Sequence, residues 1–140
     1  LMTHEKPKRQ GNLHPNIAPY GEIFLTKDGH NITFAIGSDK HFQLLCALLG
    51  NTKLMQSQAY KTNQLRVKNR IVLAEELRNR ISEISMETLL SSCLKNGIPC
   101  AEIKSIEQVL TSDLSKDLIR EEIIQGKHTS RITSIASKWK

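Results

Sequence analysis

Two segments near the start of the chain alternate between apolar and polar residues, which is the pattern of β-strands that bury one face. The first covers residues 21–27 and the second covers residues 31–36. The second places three apolar side chains on one face, Ile32, Phe34 and Ile36. Asp28-Gly29 lies between the segments and predicts a two-residue type I′ turn, because both central residues of that turn need a positive φ. The pattern therefore predicts a β-hairpin in which Asp28 serves the turn rather than acting as an acid.

Two further segments show the three-and-four-residue spacing of helices with one apolar face. One begins at Ser38 or Asp39, runs to about residue 49 and is closed by Gly50. Its apolar stripe is formed by Phe42, Leu45, Cys46 and Leu49. The other is capped by Ser85 and stops at Gly97. Its inward side chains are expected to be Leu89, Leu90, Cys93 and Leu94. A capping box at residues 105–108 predicts one more short helix, to about residue 110.

The longest helix is predicted over residues 65–84. Its buried face is expected to hold the apolar residues that recur every three or four positions, Val67, Ile71, Ala74, Leu77, Ile81 and Ile84. Arg66, Arg70 and Arg78 lie away from that stripe. They are therefore expected on a solvated face of the helix.

A segment with two prolines precedes the hairpin; residues 11–20 are called the lead-in below. Pro15 and Pro19 each fix their own φ and push the preceding residue toward an extended geometry. The lead-in is therefore expected to be a stiff, extended strap. Near the other end, residues 118–124 and 131–137 are β-compatible and flank residues 125–127, which predicts a second hairpin.

These patterns predict an α+β fold: a small antiparallel sheet built on a β-hairpin, covered by several helices, with a C-terminal β-hairpin. Residues 1–20 would form an entry arm and the proline-containing lead-in, and residues 21–111 the small α+β domain. Residues 112–140 would form the C-terminal hairpin, which has little core of its own and is expected to return to a large domain outside this chain.

Composition narrows the class of protein. The chain has 140 residues, a net charge of +6 and a sequence pI near 9.4. Basic residues alternate with Glu75, Glu76 and Glu83, and aromatic residues make up only 4%, so nucleic-acid binding is not favoured; it stays open as an alternative through the Arg66–Arg80 helix. No apolar run is long enough for a membrane. Three cysteines without a CxxC pair indicate a reduced, cytoplasmic setting and no zinc.

No catalytic motif is visible: GxSxG, HExxH, P-loop and GxGxxG patterns are all missing. The five histidines are scattered, and His14 differs only in being held by a following proline between asparagines. The lead-in concentrates polar side chains and backbone groups without an obvious packing purpose. A ligand-contacting role and a plain domain linker are the two interpretations of this segment.

Three segments, in this order and spacing, resemble the C-terminal part of family III CoA-transferases. They are HPNIAPYGEIFLTKDGHNITFAIGSDKHFQLLCALLG, TNQLRVKNRIVLAEELRNRI and KNGIPCAEIKSIEQVL. The match covers residues 11–110, and the tail REEIIQGKHTSRITSIASKW looks like the family's closing hairpin. The family includes formyl-CoA transferase, carnitine CoA-transferases and α-methylacyl-CoA racemases.

The resemblance implies a fragment of an enzyme that handles acyl-CoA, built as an interlaced homodimer, with acyl-CoA and a carboxylic acid as substrates. CoA would enter as a thioester substrate, and no cofactor is expected to be bound permanently. In the family's transferases an aspartate of the large domain forms an acyl-aspartyl anhydride and then an aspartyl-CoA thioester. No aspartate of this chain stands in the matching context, so no catalytic residue is carried over and the fragment alone is expected to be inactive. Racemisation of an α-methylacyl-CoA is the alternative reaction.

The lead-in is the counterpart of a glycine-rich loop that closes over the active site in formyl-CoA transferase. Here the glycine run is replaced by Leu13-His14-Pro15-Asn16-Ile17-Ala18, which favours a fixed wall over a flexible flap. The residues expected to line the acyl end of the CoA pocket are Gly11, Asn12, His14, Asn16 and Tyr20. No metal ligand is expected.

Overall fold

The computed structural model describes residues 11–132 of the chain. The architecture is α+β, as predicted: a three-stranded antiparallel sheet with helices, followed by a separate two-stranded hairpin. The chain divides into two compact units, one ending at Ile103 and the other beginning at Lys104. The domain bounds drawn from the sequence, after residues 20 and 111, stay a prediction. Between residues 11 and 132, no helix combines the length and apolarity that a membrane span needs.

The sheet of the first unit consists of β1 (Tyr20–Leu25), β2 (Asn31–Ala35) and β3 (Cys100–Ile103), in that order. Alternation divides its side chains between two faces. Phe24, Ile32 and Phe34 are buried on one face, where the rings of Phe24 and Phe34 lie 5.8 Å apart. Ile23 and Leu25 point the other way and remain about half exposed. The helices therefore cover only one face of the sheet.

The turn between β1 and β2 differs from the predicted type I′. The amide of Thr26 donates to His30 O at 2.9 Å and that of Gly29 donates to Thr26 O at 3.0 Å, so three residues form the loop. Gly29 has a φ of 81°, but Asp28 does not have the positive φ that type I′ requires. Asp28 instead accepts hydrogen bonds from the Thr26 hydroxyl at 2.6 Å and from the amide of Met86 at 3.0 Å.

Five helices lie between β2 and β3: α1 (Asp39–Leu48), α2 (Thr52–Gln56), α3 (Asn63–Lys68), α4 (Arg70–Ile81) and α5 (Met86–Lys95), with a 3-10 turn at Gln58–Tyr60. The first predicted helix is confirmed, with Ser38 as its N-cap and its apolar stripe buried. Ser85 caps α5 as expected, but Leu94, predicted to point inward, is 69% exposed.

The predicted helix over residues 65–84 is two helices, because the chain breaks at Asn69. The Asn69 backbone has φ −103° and ψ 21°, and its side chain donates to Leu65 O and Ala59 O, both at 3.0 Å. A break of this kind shifts the helical phase, so the stripe predicted for one continuous helix is confirmed only in part, at Leu77 and Ile81 and at the partly buried Ala74 and Ile84. The buried face of α4 is Leu73, Leu77 and Ile81, whereas Ile71 is 78% exposed.

The second unit contains α6 (Ile106–Leu110), a 3-10 helix (Asp113–Leu118), β4 (Ile119–Ile124) and β5 (Lys127–Ile132). The predicted capping box of Ser105 and Gln108 is present. Gln125 and Gly126 both have a positive φ, which is the geometry of a two-residue hairpin turn. The second strand begins at Lys127 rather than at residue 131, and predicted residues 133–137, like Trp139, lie outside the described part.

Candidate functional site

The lead-in is folded into turns rather than extended as predicted. The amide of His14 donates to Tyr20 O at 3.0 Å and closes the segment into a loop. The amide of Ile36 donates to Pro19 O at 3.1 Å and joins the loop to the sheet. Ala18 and Pro19 are buried, and the peptide bond between them is cis. The prolines restrict φ, but contacts with neighbouring side chains decide where the chain turns.

Two of these contacts come from Arg70 at the start of α4. Its Nη2 donates to His14 O at 2.6 Å and also to Ile17 O. Its Nε lies 2.9 Å from Glu22 Oε1, a charge contact rather than an aligned hydrogen bond. Arg70 and Glu22 side chains are only 16% and 8% exposed. One guanidinium thus ties two carbonyls of the lead-in to strand β1.

Two residues of α3 hold the next part of the lead-in. Asn63 donates through Nδ2 to Asn16 O at 2.7 Å and accepts from the amide of Ala18 at 3.2 Å. Arg66 Nε donates to Ala18 O at 3.0 Å. Asn63, Arg66 and Arg70 are called the anchor residues below.

The surroundings of Arg66 overturn its predicted place on a solvated face. Its side chain is fully buried, with the guanidinium 4.6 Å above the Phe42 ring. Nη1 donates to Tyr60 O at 3.1 Å, and Nη2 lies 2.8 Å from Asp39 Oδ1. Arg70, also predicted to be solvated, is largely buried as well. Only Arg78 of the three arginines is exposed as predicted.

Strand β1 meets the lead-in through Gly21 and Glu22. Gly21 has a φ of 88°, and an added Cβ would lie 1.9 Å from Asn12 O. The side chain of Asn12 donates to Gly21 O at 2.6 Å. Glu22 Oε2 accepts from the Tyr20 amide at 2.5 Å. Sequence reasoning missed both residues. The available signal was a glycine near the start of the predicted strand, directly after Pro19-Tyr20, because glycine in a strand marks a bulge or the close approach of another backbone segment. The strand is irregular at this point.

Three of the five predicted site residues are brought together. The amide of Asn16 donates to His14 Nδ1 at 3.2 Å, and the rings of His14 and Tyr20 lie 5.1 Å apart. Because Nδ1 accepts a hydrogen bond, the proton of the neutral ring is on Nε2. Asn12 is directed elsewhere, since its amide bonds Gly21 O, and Gly11 is exposed with a φ of 68°.

Two concave surfaces adjoin the lead-in. A cleft of about 290 Å³ lies beside β1 and α4, and it is lined by Asn12, Leu13, Glu22, Ile23, Arg70, Ile71, Ala74, Glu75 and Arg78. A groove of about 390 Å³ lies on the open face of the sheet, and it is lined by Tyr20, Gly21, Thr33, Phe34, Ala35, Pro99, Cys100 and Ala101. Asn12 and Tyr20 therefore face different cavities, so the lead-in forms a rim that two surfaces share.

The thiols of the chain are poor nucleophiles at neutral pH. Burial raises the pKa of Cys46 to about 12, and burial together with neighbouring Cys100 raises the pKa of Cys93 to about 12. Burial also raises the pKa of Cys100. No group of three His, Cys, Asp or Glu side chains within residues 11–132 could hold a metal ion.

Comparison with known proteins places this geometry in a family. The model of CoA-transferase family III matches residues 1–137. The chain is 34% identical to the succinate–glutarate CoA-transferase of Agrobacterium fabrum, over 96% of the chain and 35% of that enzyme. It is also 34% identical to the succinyl-CoA:glutarate CoA-transferase of Homo sapiens, over 78% of the chain and 24% of that enzyme.

Solved structures of related proteins match the fold of this chain. A CAIB/BAIF family protein from Brucella suis superposes with a TM-score of 0.80 at 32% identity, covering 97% of this chain and 35% of that one. Rv3272 from Mycobacterium tuberculosis, at 24% identity and a TM-score of 0.72, shares the fold. Nearly the whole chain is matched in two of these relatives, the Agrobacterium enzyme and the Brucella protein, but it spans only about a third of the length of each. With matches in sequence and in structure, the chain belongs to CoA-transferase family III.

Proposed function

We propose that this chain supplies one wall of the substrate pocket of a CoA-transferase that moves CoA between dicarboxylic acids, with succinate and glutarate as the pair to test first. The observation that carries the proposal is the 34% identity to a succinate–glutarate CoA-transferase across 96% of the chain. A succinyl-CoA:mesaconate CoA-transferase of Haloarcula hispanica, 32% identical over 75% of the chain, also takes two dicarboxylic acids by its name. The names of these relatives favour transfer over racemisation.

Within that wall we assign substrate contact to the lead-in, through His14, Asn16 and Tyr20. The Asn16 and Tyr20 side chains are exposed, and His14 presents Nε2–H as a hydrogen-bond donor. Donors of this kind suit the oxygens of a carboxylate or a thioester carbonyl. Gly11 and Asn12 would support the shape of the loop, because the Asn12 amide already bonds Gly21 O.

The reacting carboxylate is proposed to be an aspartate outside this chain. It would attack the thioester carbonyl to form an anhydride and release CoA thiolate, which then attacks the anhydride to give aspartyl-CoA and a free carboxylate. CoA is a thioester substrate here rather than a resident cofactor. The described residues would bind and orient, so the chain alone would be inactive. An interlaced homodimer in the cytoplasm completes the proposal.

Nucleic-acid binding through the Arg66–Arg80 region loses support from the burial of Arg66 and Arg70. Their donors are directed at carbonyl groups of the chain itself, so they are not available to phosphates. The remaining exposed basic residues of α4, Arg78 and Arg80, follow two exposed glutamates, Glu75 and Glu76. A gel shift that weakens steeply with added salt would reverse this judgement.

The test uses the full-length protein that carries this chain, with succinyl-CoA and glutarate as substrates and chromatographic detection of glutaryl-CoA. We expect transfer, and we expect His14→Ala and Asn16→Ala to lower kcat/KM about 10- to 100-fold, as for the loss of a hydrogen bond to a charged group. His128→Ala, at an exposed position on β5, is the matched control. Absence of transfer refutes the proposed reaction; unchanged kinetics of both lead-in variants refutes the assigned contacts.

A further inference from the structure

We propose that Arg70, together with Arg66 and Asn63, is a positioning residue that keeps the lead-in closed before any ligand binds, so that the loop acts as a fixed wall and not as a moving flap. This inference rests on the proposed function for its kinetic consequence. Its structural part stands on contacts within the first unit alone.

The anchor residues bind almost every carbonyl of the loop's centre. The acceptors are the carbonyl oxygens of His14, Asn16, Ile17 and Ala18. These four groups belong to five consecutive residues, so a loop that moved away would break all of their hydrogen bonds at once. It would also break the His14–Tyr20 bond that closes the loop.

The anchors are themselves held firmly. Arg66 is fully buried between the Phe42 ring and Tyr60 O. Arg70 is held by Glu22, whose other oxygen receives the Tyr20 amide. A rigid donor that is already oriented loses little entropy when it holds a partner, and the planar guanidinium is suited to several acceptors at once. The loop is therefore preset by the protein rather than by the substrate.

The direction of these bonds leaves the side chains of the loop available. The anchors bind the main chain of the loop, whereas the exposed side chains of Asn16 and Tyr20 remain on the outside, beside the His14 ring. Arg70 bonds the carbonyl of His14 itself, so its removal would shift the backbone that carries the imidazole. Misplacement by about 1 Å can cost about 10²-fold in rate. Arg70 would thus act on the substrate only through the position of His14.

The experiment compares Arg70→Ala and Asn63→Ala with Arg80→Ala. Arg80 lies on the same helix, is half exposed and pairs with Glu83 at 3.6 Å, so its removal tests the loss of an arginine alone. Amide hydrogen exchange is measured at His14 and Ala18 in the ligand-free 140-residue chain. Loss of the Arg70 bonds should speed exchange at His14 about tenfold, while Asn63→Ala should affect Ala18 first and Arg80→Ala neither.

Kinetics of the full-length protein supply the second measurement. We expect Arg70→Ala to lower kcat more than it raises KM, and Arg70→Lys to recover only part of the loss, because an ammonium cannot reproduce the planar geometry of a guanidinium. If His14 exchange in folded Arg70→Ala matches the unsubstituted chain, the preset loop is refuted, whether or not the protein transfers CoA. Faster exchange with unchanged kcat and KM refutes the positioning role. A failure of the proposed reaction appears separately, as an inactive unsubstituted protein with protected His14.

Discussion

Replacing Gly21 by alanine should damage the lead-in more than replacing Gly29, although both glycines have a similar positive φ. At φ values of 88° and 81°, an alanine pays about 1–2 kcal/mol in either place. At Gly29 the new Cβ meets nothing within 4 Å. At Gly21 it would lie 1.9 Å from Asn12 O, where contacts below 3.0 Å are essentially never seen. Asn12 must therefore move by about 1 Å or more.

That movement breaks the Asn12–Gly21 hydrogen bond, which adds about 0.5–1.5 kcal/mol. We expect Gly21→Ala to lower the free energy of unfolding by about 1.5–3.5 kcal/mol and Gly29→Ala by about 1–2 kcal/mol. Urea denaturation of the 140-residue chain measures both, with equal m values as the check that the unfolded states are comparable. Equal losses of stability in the two variants would show that the approach of Asn12 to β1 is not a constraint.

Four further outcomes are expected. Arg66→Ala should lower the free energy of unfolding in urea by about 2–5 kcal/mol, because it leaves two buried carbonyls without a donor. Asp39→Ala removes a side chain that is 57% exposed and should cost less than about 1 kcal/mol. Similar losses in the two variants would contradict the burial assigned to Arg66. Leu77→Ala should cost about 2–5 kcal/mol and Ile71→Ala less than about 0.5 kcal/mol, whereas one continuous helix over residues 65–84 predicts a large loss at both positions. The pKa of Asp28 is lowered chiefly by the Thr26 hydroxyl, so the stability that Asp28 contributes is present above its ordinary pKa of 3.8 and is lost as pH falls through its lower pKa in the folded state. Asp28→Asn should therefore reduce the fall in the free energy of unfolding at acid pH, and an unchanged fall would reject this assignment. Cys46 and Cys93, with pKa values raised to about 12, should react with a thiol reagent at pH about 8 much more slowly in the folded chain than in urea, and equal rates would contradict their burial.

Local patterns were sufficient for most of the fold. Alternation located both strands of the first hairpin, and the stripe from Phe42 to Leu49 located α1, because burial of one face dictates the spacing in each case. The turn type was wrong because the Asp-Gly preference competes with bonds that Asp28 makes elsewhere. Its carboxylate bonds Met86, 58 residues away, and no local pattern contains that partner. The family resemblance, carried by three ordered segments, is confirmed over residues 1–137.

The arginines show why the site was harder to predict than the fold. Hydrophobic spacing assigns a charged residue to solvent whenever it falls outside the apolar stripe, and Arg66 and Arg70 fall outside it. Their burial depends instead on the Asn69 break and on a turn-rich loop whose carbonyls would lack partners without them. The carbonyls of a loop that folds against a helix need donors from that helix. Two arginines one helical turn apart, such as Arg66 and Arg70, are therefore candidate donors to the main chain of a neighbouring proline-containing loop. In this protein the arginines that shape the proposed pocket wall are therefore largely buried: Arg66 is fully buried and the Arg70 side chain is only 16% exposed.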